Sequence, residues 1–392
     1  MGLDGLRGVA ILLVLVYHFN LIKNPRTLIE STWVHFAQSG WLGVDLFFVL
    51  SGFLITGILI DSKHQPGFFK RFYARRILRI FPLYYLFLIF AFWVLPSLST
   101  LHEDTALFGK RPTHQWPFFA YVPNLLFASE GQFSGGRHLH VTWSLGIEEQ
   151  FYIVWPLLIW ITPKRFSPIA LGIMIGTVVI SRFSVPAHLD NWILIFCHTL
   201  YHSEPLLWGA LACFIYRSFE HSRVRWWARG LWLTAAFATC GWLFSGGTLT
   251  QWNPTVLHMG LSVAGIGFAA LLLDICTSSK TSLLRRFFEI PILRQYGKYA
   301  YGIYLTHVIV QHLIVERLLD IPNIIEILGH RLNVQLLYTL FGCLTSLLFG
   351  MVIYKGVEIH FLRLKAHFPY SPISKDHQND SENHSKNPSI QS

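Results

Sequence analysis

Several ionisable side chains in this sequence lie inside long apolar segments, where they are costly and need a partner or a chemical purpose. The first apolar segment, LDGLRGVAILLVLVYHF, carries Arg7 near its start and His18 eleven residues later. In an α-helix this separation is about 16 Å and returns to nearly the same face, so both side chains can line one continuous path. The alternative is a basic anchor at Arg7 and a hydrogen-bonded core histidine at His18.

Carboxylates occur at a similar depth in other apolar segments. Glu148 lies near the start of TWSLGIEEQFYIVWPLL beside Glu149, and at most one of these neighbours is expected to face His18. A carboxylate touching the imidazole would orient it, fix its tautomer and stabilise its protonated form, which suits a general base acting on an alcohol. Asp45 and Glu204 lie near the ends of two further segments, where solvation at the membrane interface is the alternative.

A cluster of arginines begins another apolar segment. In RFYARRILRIFP, Arg76 and Arg79 are three residues apart and share a helical face, with Arg75 beside them. Guanidinium groups bind phosphates through paired hydrogen bonds, so this cluster is a candidate phosphate site. Anchoring by basic residues at a membrane surface is the alternative.

Together these residues place phosphate-binding groups at one mouth of a helix bundle and a histidine–carboxylate pair near the other. A coenzyme A thioester fits that arrangement, because a long slender arm separates its phosphates from its reactive end. The thioester is already activated, so the chemistry needs no metal and no tightly bound cofactor. The sequence contains no phosphate-loop glycine pattern, no paired-histidine zinc motif and no G-x-S-x-G.

The elements that must position these residues are transmembrane helices. The chain is 53% hydrophobic and only 13% charged, well below a soluble protein, and its apolar runs are close to the length that crosses a bilayer. We therefore predict an all-α polytopic membrane protein of about ten transmembrane helices. The predicted spans are 5–22, 41–60, 80–98, 143–162, 167–184, 200–216, 230–245, 257–273, 297–316 and 334–355.

The distribution of Lys and Arg predicts the orientation. Most of the 31 basic residues fall in the loops that lie inside if the N-terminus is cytoplasmic, so both termini are predicted to be cytoplasmic. The net charge of +10 is explained by these loops, and we expect no nucleic-acid partner. We predict a transmembrane domain over residues 1–370 and a disordered cytoplasmic tail over 371–392, which is polar and lacks apolar periodicity.

Six of these segments, in order, resemble the acyltransferase-3 family of membrane O-acyltransferases, which modify polysaccharides, lipopolysaccharide and peptidoglycan. The similar segments are LDGLRGVAILLVLVYHF with Arg7 and His18, GVDLFFVLSGFLIT with Asp45 and Ser51, RRILRIFPLYY with Arg76 and Arg79, WSLGIEEQFYIVWPLL with Glu148, YGIYLTHVIV with His307, and GVEIHFLR with Glu358.

The resemblance implies an acyl-CoA donor, most often acetyl-CoA, on the cytoplasmic side of the inner membrane, and an acceptor hydroxyl on an extracytoplasmic glycan. It implies that His18 and Glu148 are catalytic, with His18 either deprotonating the hydroxyl or first carrying the acyl group. The other roles it implies are donor binding by Arg7, Arg76 and Arg79, and substrate binding by Asp45, Ser51 and His307.

The sequence departs from the family pattern at two places. Thr306 precedes His307 where tryptophan is common, and His202-Ser203-Glu204 replaces a more usual R-x-D-like entry to the sixth span. No esterase-like domain is seen after the last span, so transfer is expected to finish within the membrane domain or on a partner protein.

Two other functions are compatible with a polar path between helices. A transporter or exporter of a glycan or lipid-linked sugar would look similar, although paired broken helices and inverted repeats are not evident. An inactive family member acting as an assembly partner is the third hypothesis, and the presence of Arg7, His18 and Glu148 argues against it.

Overall fold

The computed structural model describes residues 2–97, 112, 114–163, 165–185, 192–318 and 330–370, and every regular element within them is a helix. The long helices are α1 (Leu3–His18), α2 (Leu28–Gln38), α3 (Leu42–Ser62), α4 (Phe68–Ile89), α5 (Thr142–Ile161), α6 (Ser167–Ser184), α7 (Glu204–Ser218), α8 (His221–Phe244), α9 (Leu261–Thr277), α10 (Pro291–Val310) and α11 (Arg331–Ile353).

Shorter helical segments complete the described chain. They are Ser39–Trp41, Phe90–Val94, Leu95–Ser97, Trp116–Phe119, Pro123–Glu130, Arg137–His140, Trp192–Cys197, Thr199–His202, Val256–Gly260, Leu283–Phe288, Gln311–Val315, Glu316–Leu318, Tyr354–Glu358, Ile359–Arg363 and Leu364–His367.

Five helical stretches are long and apolar enough to cross a membrane, so the prediction of a multi-pass helical membrane protein is confirmed. They are Leu28–Ser62, Phe68–Ser97, Ser167–Ser184, Val256–Thr277 and Arg331–His367. The other predicted spans also coincide with helices, namely α1, α5, α7, α8 and α10. The predicted tail over 371–392 lies outside the described residues.

Two close helix contacts set the frame of the bundle. Helix α1 packs along α10, and α3 packs along α7. A β-carbon on Gly297 of α10 would lie 1.7 Å from the carbonyl oxygen of Asp4, and one on Gly52 of α3 would lie 1.9 Å from that of Leu206. Only glycine allows these backbones to approach so closely, which is the usual role of small residues between helices in a bilayer.

Asp45 and His202 form a buried polar link between α3 and the short helix before α7. Asp45 Oδ1 lies 2.8 Å from His202 Nε2, and His202 Nδ1 donates to the carbonyl of Phe196 at 2.7 Å. Both side chains are fully buried, so the alternative of interfacial solvation for Asp45 is wrong. The imidazole contacts Oδ1 of this carboxylate, whereas Oδ2 is buried without a hydrogen-bond partner among the described residues.

Glu204 is buried in the same way. Its carboxylate is ion-paired with Arg182 of α6, and it also accepts hydrogen bonds from Ser262 (3.0 Å) and Trp208 (2.7 Å). Both charged side chains are fully buried. Interfacial solvation is therefore wrong for Glu204 too, because helices α6, α7 and α9 meet around it and exclude solvent.

Helices α10 and α11 continue as π-helical turns, as α4 does with Phe90–Val94. Gln311–Val315 follows α10, and Tyr354–Glu358 follows α11. A π-turn adds a residue to the turn and changes which side chains face the neighbouring helix, and such turns are frequent at functional sites. The first of them brings Gln311 and His312 to the end of α1, as described below.

The Asp45–His202 link predicts a stability effect. His202→Ala leaves a carboxylate buried without its partner, and we expect it to cost about 3–5 kcal/mol. Thermal unfolding in detergent micelles should show a lower midpoint for His202→Ala, and a partial return for the double variant Asp45→Asn/His202→Ala. Substitution of the exposed His64 by Ala is the matched control and should melt with the parent. A double variant that melts no higher than His202→Ala would contradict this interpretation.

Candidate active site

A cavity of about 260 Å³ lies among α1, α3, α4, α5 and α10. Arg7, Arg76 and Arg79 line one end, which we call the arginine end. Ser144 and Tyr304 line the opposite end. The cavity therefore runs from a strongly basic end to an end that carries hydroxyl groups.

Two of the three arginines at the basic end of the cavity have no ion-pair partner among the described residues. Arg7 pairs with Asp4 at 3.0 Å. Within the described part of the chain, no carboxylate lies within ion-pair distance of Arg76 or Arg79. The Arg76 guanidinium carbon lies 5.7 Å from the centre of the Tyr152 ring, an arrangement that holds it over the cavity. Unpaired guanidinium groups of this kind are suited to bind phosphate oxygens.

Arg75, next in sequence to Arg76, does not line the cavity. Its guanidinium donates to the backbone carbonyls of Lys365 (3.1 Å) and Phe368 (3.0 Å) and lies over the ring of Tyr370. Arg75 and Arg76 therefore have different contacts, because one helical step of 100° turns Arg75 toward the C-terminal segment.

Glu148 lies in the wall of the cavity, but not beside His18. Its Oε1 accepts a hydrogen bond from Ser51 at 2.6 Å and another from Tyr152. The expected contact between Glu148 and His18 is wrong, because α5 presents this carboxylate to α3 whereas His18 faces α10. Glu149 does not line the cavity. Tyr152 was not predicted, although its position four residues after Glu148 places it on the same helical face.

Two imidazoles meet beyond the hydroxyl-bearing end of the cavity. The ring centres of His18 and His307 are 4.5 Å apart in an edge-to-face arrangement. His18 Nδ1 lies 2.9 Å from the carbonyl of Val14, and His307 Nδ1 lies 2.7 Å from that of Tyr304. A carbonyl only accepts, so Nδ1 carries the proton in each ring, and Nε2 of the neutral form keeps a free lone pair.

His18 itself does not line the cavity. Tyr304 stands between, with its hydroxyl 2.5 Å from Ser144 Oγ and 3.1 Å from the carbonyl of Val141, and its ring centre 5.9 Å from that of His307. The continuous path expected between Arg7 and His18 is therefore interrupted in this structure. The Tyr304–Ser144 contact separates the arginine end from the two imidazoles.

The remaining predicted site residues divide between the cavity and the core. Ser51 lines the cavity, and His307 lies beyond Tyr304 and is fully buried. Asp45 does not line the cavity and is held by His202, so a contact between Asp45 and substrate would require that link to open. The geometry gives Asp45 a packing role instead of the predicted substrate contact.

The comparisons with known proteins agree with the resemblance seen in the sequence. The sequence model of the acyltransferase-3 family, described as an acyltransferase domain, matches residues 2–355. The peptidoglycan O-acetyltransferase OatA of Listeria monocytogenes is 29% identical over 320 residues, which cover 78% of this chain and 48% of that protein. The O-acetyltransferase OatA of Staphylococcus aureus is 28% identical over 323 residues, which cover 78% of this chain and 49% of that protein.

The chain thus spans about half the length of the curated relatives it matches. No solved structure matches it. The family match includes all of the helices that form the cavity and both histidines at its far end. This chain belongs to the acyltransferase-3 family.

Proposed function

We propose that this protein is a membrane O-acetyltransferase that moves an acetyl group from cytoplasmic acetyl-CoA to a hydroxyl of an extracytoplasmic cell-wall glycan. The observation that carries this proposal is a cavity with three arginines at one end and the imidazoles of His18 and His307 just beyond the other end. Membership of the acyltransferase-3 family supports the reaction class. The names of the OatA relatives support acetyl as the group, and the name of the Listeria protein supports peptidoglycan as the acceptor.

The proposed orientation has ten spans, with both termini in the cytoplasm and the arginine end at the cytoplasmic face of the inner membrane. This orientation is supported by the basic loops, since Lys and Arg accumulate on the cytoplasmic side. It presents Arg76 and Arg79 to the compartment that contains coenzyme A thioesters. It also places His18 and His307 toward the side from which a cell-wall glycan arrives.

In the proposed reaction, the phosphates of the donor bind at the arginine end and its pantetheine arm extends along the cavity. The acetyl group then has to pass Tyr304. The hydroxyl of Tyr304 gives up its contacts with Ser144 and Val141, and each such hydrogen bond contributes only about 1 kcal/mol net, so this movement is inexpensive. Tyr304 would thus keep the two compartments separate until a donor is bound.

Two routes remain open at His18. In one, His18 Nε2 takes the proton of the acceptor hydroxyl while its oxygen attacks the thioester carbonyl carbon, and the C–S bond breaks to release the thiolate. In the other, His18 Nε2 attacks the thioester first, releases the thiolate and carries the acetyl group to the acceptor. Both need a free lone pair on Nε2, which the hydrogen bond from Nδ1 to Val14 provides.

The difference between Arg75 and Arg76 predicts a difference in donor binding. Arg76→Ala removes an unpaired guanidinium from the cavity and should weaken binding of acetyl-CoA about tenfold or more, as expected for a lost charge-assisted hydrogen bond. Arg75→Ala is the matched control, since it removes the same charge one residue away and outside the cavity. Binding is measured by isothermal titration calorimetry with the detergent-solubilised protein. Equal losses in the two variants would show a nonspecific charge effect and contradict the assignment.

His18→Ala should abolish acetyl transfer without loss of the protein from the membrane. We expect a decrease of about 100-fold or more, the size of a lost general base or nucleophile. The measurement follows labelled acetyl from acetyl-CoA into cell-wall glycan in isolated membranes, with His64→Ala as an exposed-histidine control. Full activity in His18→Ala would remove His18 from the reaction.

The same membranes distinguish an exporter from a transferase. An exporter would move its glycan with no acyl-CoA present, whereas a transferase leaves the glycan unmodified until the donor is added.

A further inference from the structure

A carboxylate–histidine pair other than Asp45–His202 lies near His18, and it was not predicted from the sequence. The π-helical turn Gln311–Val315 continues α10 past His307, and Gln311 Nε2 donates to the carbonyl of His18 at 3.0 Å. This hydrogen bond fixes the π-turn against the end of α1. His312, the next residue, is near enough to His18 to act on it electrostatically, and it lies past His307 on the side away from the arginine end.

His312 is held by a carboxylate in the way that was expected for His18. His312 Nδ1 lies 2.7 Å from Glu316 Oε2, and the other oxygen, Oε1, accepts a hydrogen bond from Tyr338 at 3.4 Å. With Nδ1 donating to the carboxylate, the lone pair of the neutral ring is on Nε2. His312 is 4% exposed, and its Nε2 is buried without a hydrogen-bond partner among the described residues.

A buried, oriented and unpartnered imidazole nitrogen is costly unless a ligand uses it. The other polar groups around His18 and His312 are suited to a polyhydroxylated ligand. Tyr17 and Gln251 share a hydrogen bond of 2.6 Å, and Gln311 donates to the hydroxyl of Tyr338 at 3.2 Å. These neutral donors and acceptors match the chemistry of sugar hydroxyl groups.

Two further titratable groups, Arg137 and His140, lie near His18. Arg137, in the short helix Arg137–His140, is exposed and near enough to Tyr17 and His18 to act on them electrostatically. Burial lowers the pKa of His140, in the same short helix, to about 4, so this ring is neutral at physiological pH. His312 thus lies near His18 and is oriented by Glu316.

We propose that His312 Nε2 accepts the proton of the acceptor hydroxyl, and that Glu316 orients the ring for this step. The proposal rests on the proposed function and chooses between its two routes, with His18 as the acetyl carrier. His18 Nε2 attacks the thioester carbonyl, the C–S bond breaks and the thiolate leaves. The hydroxyl oxygen then attacks the acetyl carbon as its proton passes to His312, and the C–N bond breaks, returning its electron pair to His18 Nε2.

The experiment compares two acceptors that differ in their need for a base. A glycan hydroxyl must lose a proton to attack, whereas hydroxylamine is nucleophilic at neutral pH without help. His312→Gln, in the full chain in detergent micelles, is assayed with acetyl-CoA and either chitooligosaccharide or hydroxylamine. We expect transfer to the oligosaccharide to fall about 100-fold or more, the usual contribution of general-base catalysis, while release of acetyl to hydroxylamine stays near that of the parent protein.

Glu316→Gln is the second variant, because it keeps a hydrogen-bond acceptor for Nδ1 but removes the charge. It should lower kcat for the oligosaccharide by a smaller factor, with KM and the hydroxylamine reaction unchanged.

Three results would overturn parts of this account. Transfer to the oligosaccharide in His312→Gln within a few-fold of the parent would remove His312 from the proton transfer. A parallel loss of both reactions in His312→Gln would show that His312 only supports the local structure. A parent protein inactive toward both acceptors, with pure acetyl-CoA, would overturn the proposed function itself.

Discussion

The close packing of α1 against α10 is the contact on which the candidate site depends. One helix carries Arg7 and His18, and the other carries Tyr304 and His307, so the distance between the two backbones decides whether these side chains meet. Gly297 allows α10 to lie against the carbonyl of Asp4, and the ring centres of His18 and His307 then approach to 4.5 Å. A larger residue at this position would separate the helices and, with them, the two imidazoles.

The cost of polar groups inside a bilayer divides the remaining ionisable side chains into two classes. Asp45 and Glu204 are paired with His202 and Arg182, and these pairs fasten helices to one another. Buried atoms without a hydrogen-bond partner among the described residues occur in both classes, including Asp45 Oδ2, Arg182 Nε, Arg76 Nε and His312 Nε2. What separates the classes is location, because the two core pairs hold helices together, whereas Arg76 lines the cavity and His312 lies near His18, at the two ends of the proposed path.

Much of the fold could be predicted from the sequence, since apolar length and helical period are local properties. Arg76 and Arg79 share a face and reach one cavity, as their spacing indicates. The partner of Glu148 could not be predicted in this way. Spacing gives the face of a helix but not its rotation relative to its neighbours, and α5 turns Glu148 toward Ser51 instead of His18.

The His312–Glu316 pair, on the proposed acceptor side, was not predicted for a related reason. The i,i+4 spacing of His312 and Glu316 was a usable signal for a hydrogen-bonded pair, but the π-turn that directs it toward α1 is not evident from apolar periodicity. The contact of Tyr304 with Ser144 could not be predicted either, because it joins residues 160 positions apart in the sequence. Contacts between residues so far apart in the sequence form only when the helices have packed together.

The central claim is that a donor bound at the arginine end delivers its acyl group past Tyr304 to His18. Its most direct test is an electron cryomicroscopy structure with an acetyl-CoA analogue in which the thioester sulfur is replaced to prevent transfer. Our account predicts phosphates at Arg76 and Arg79, Tyr304 turned away from Ser144, and the acetyl carbon about 3.5 Å from His18 Nε2. An analogue whose acetyl group ends below a closed Tyr304–Ser144 contact, or whose phosphates lie away from these arginines, would contradict it.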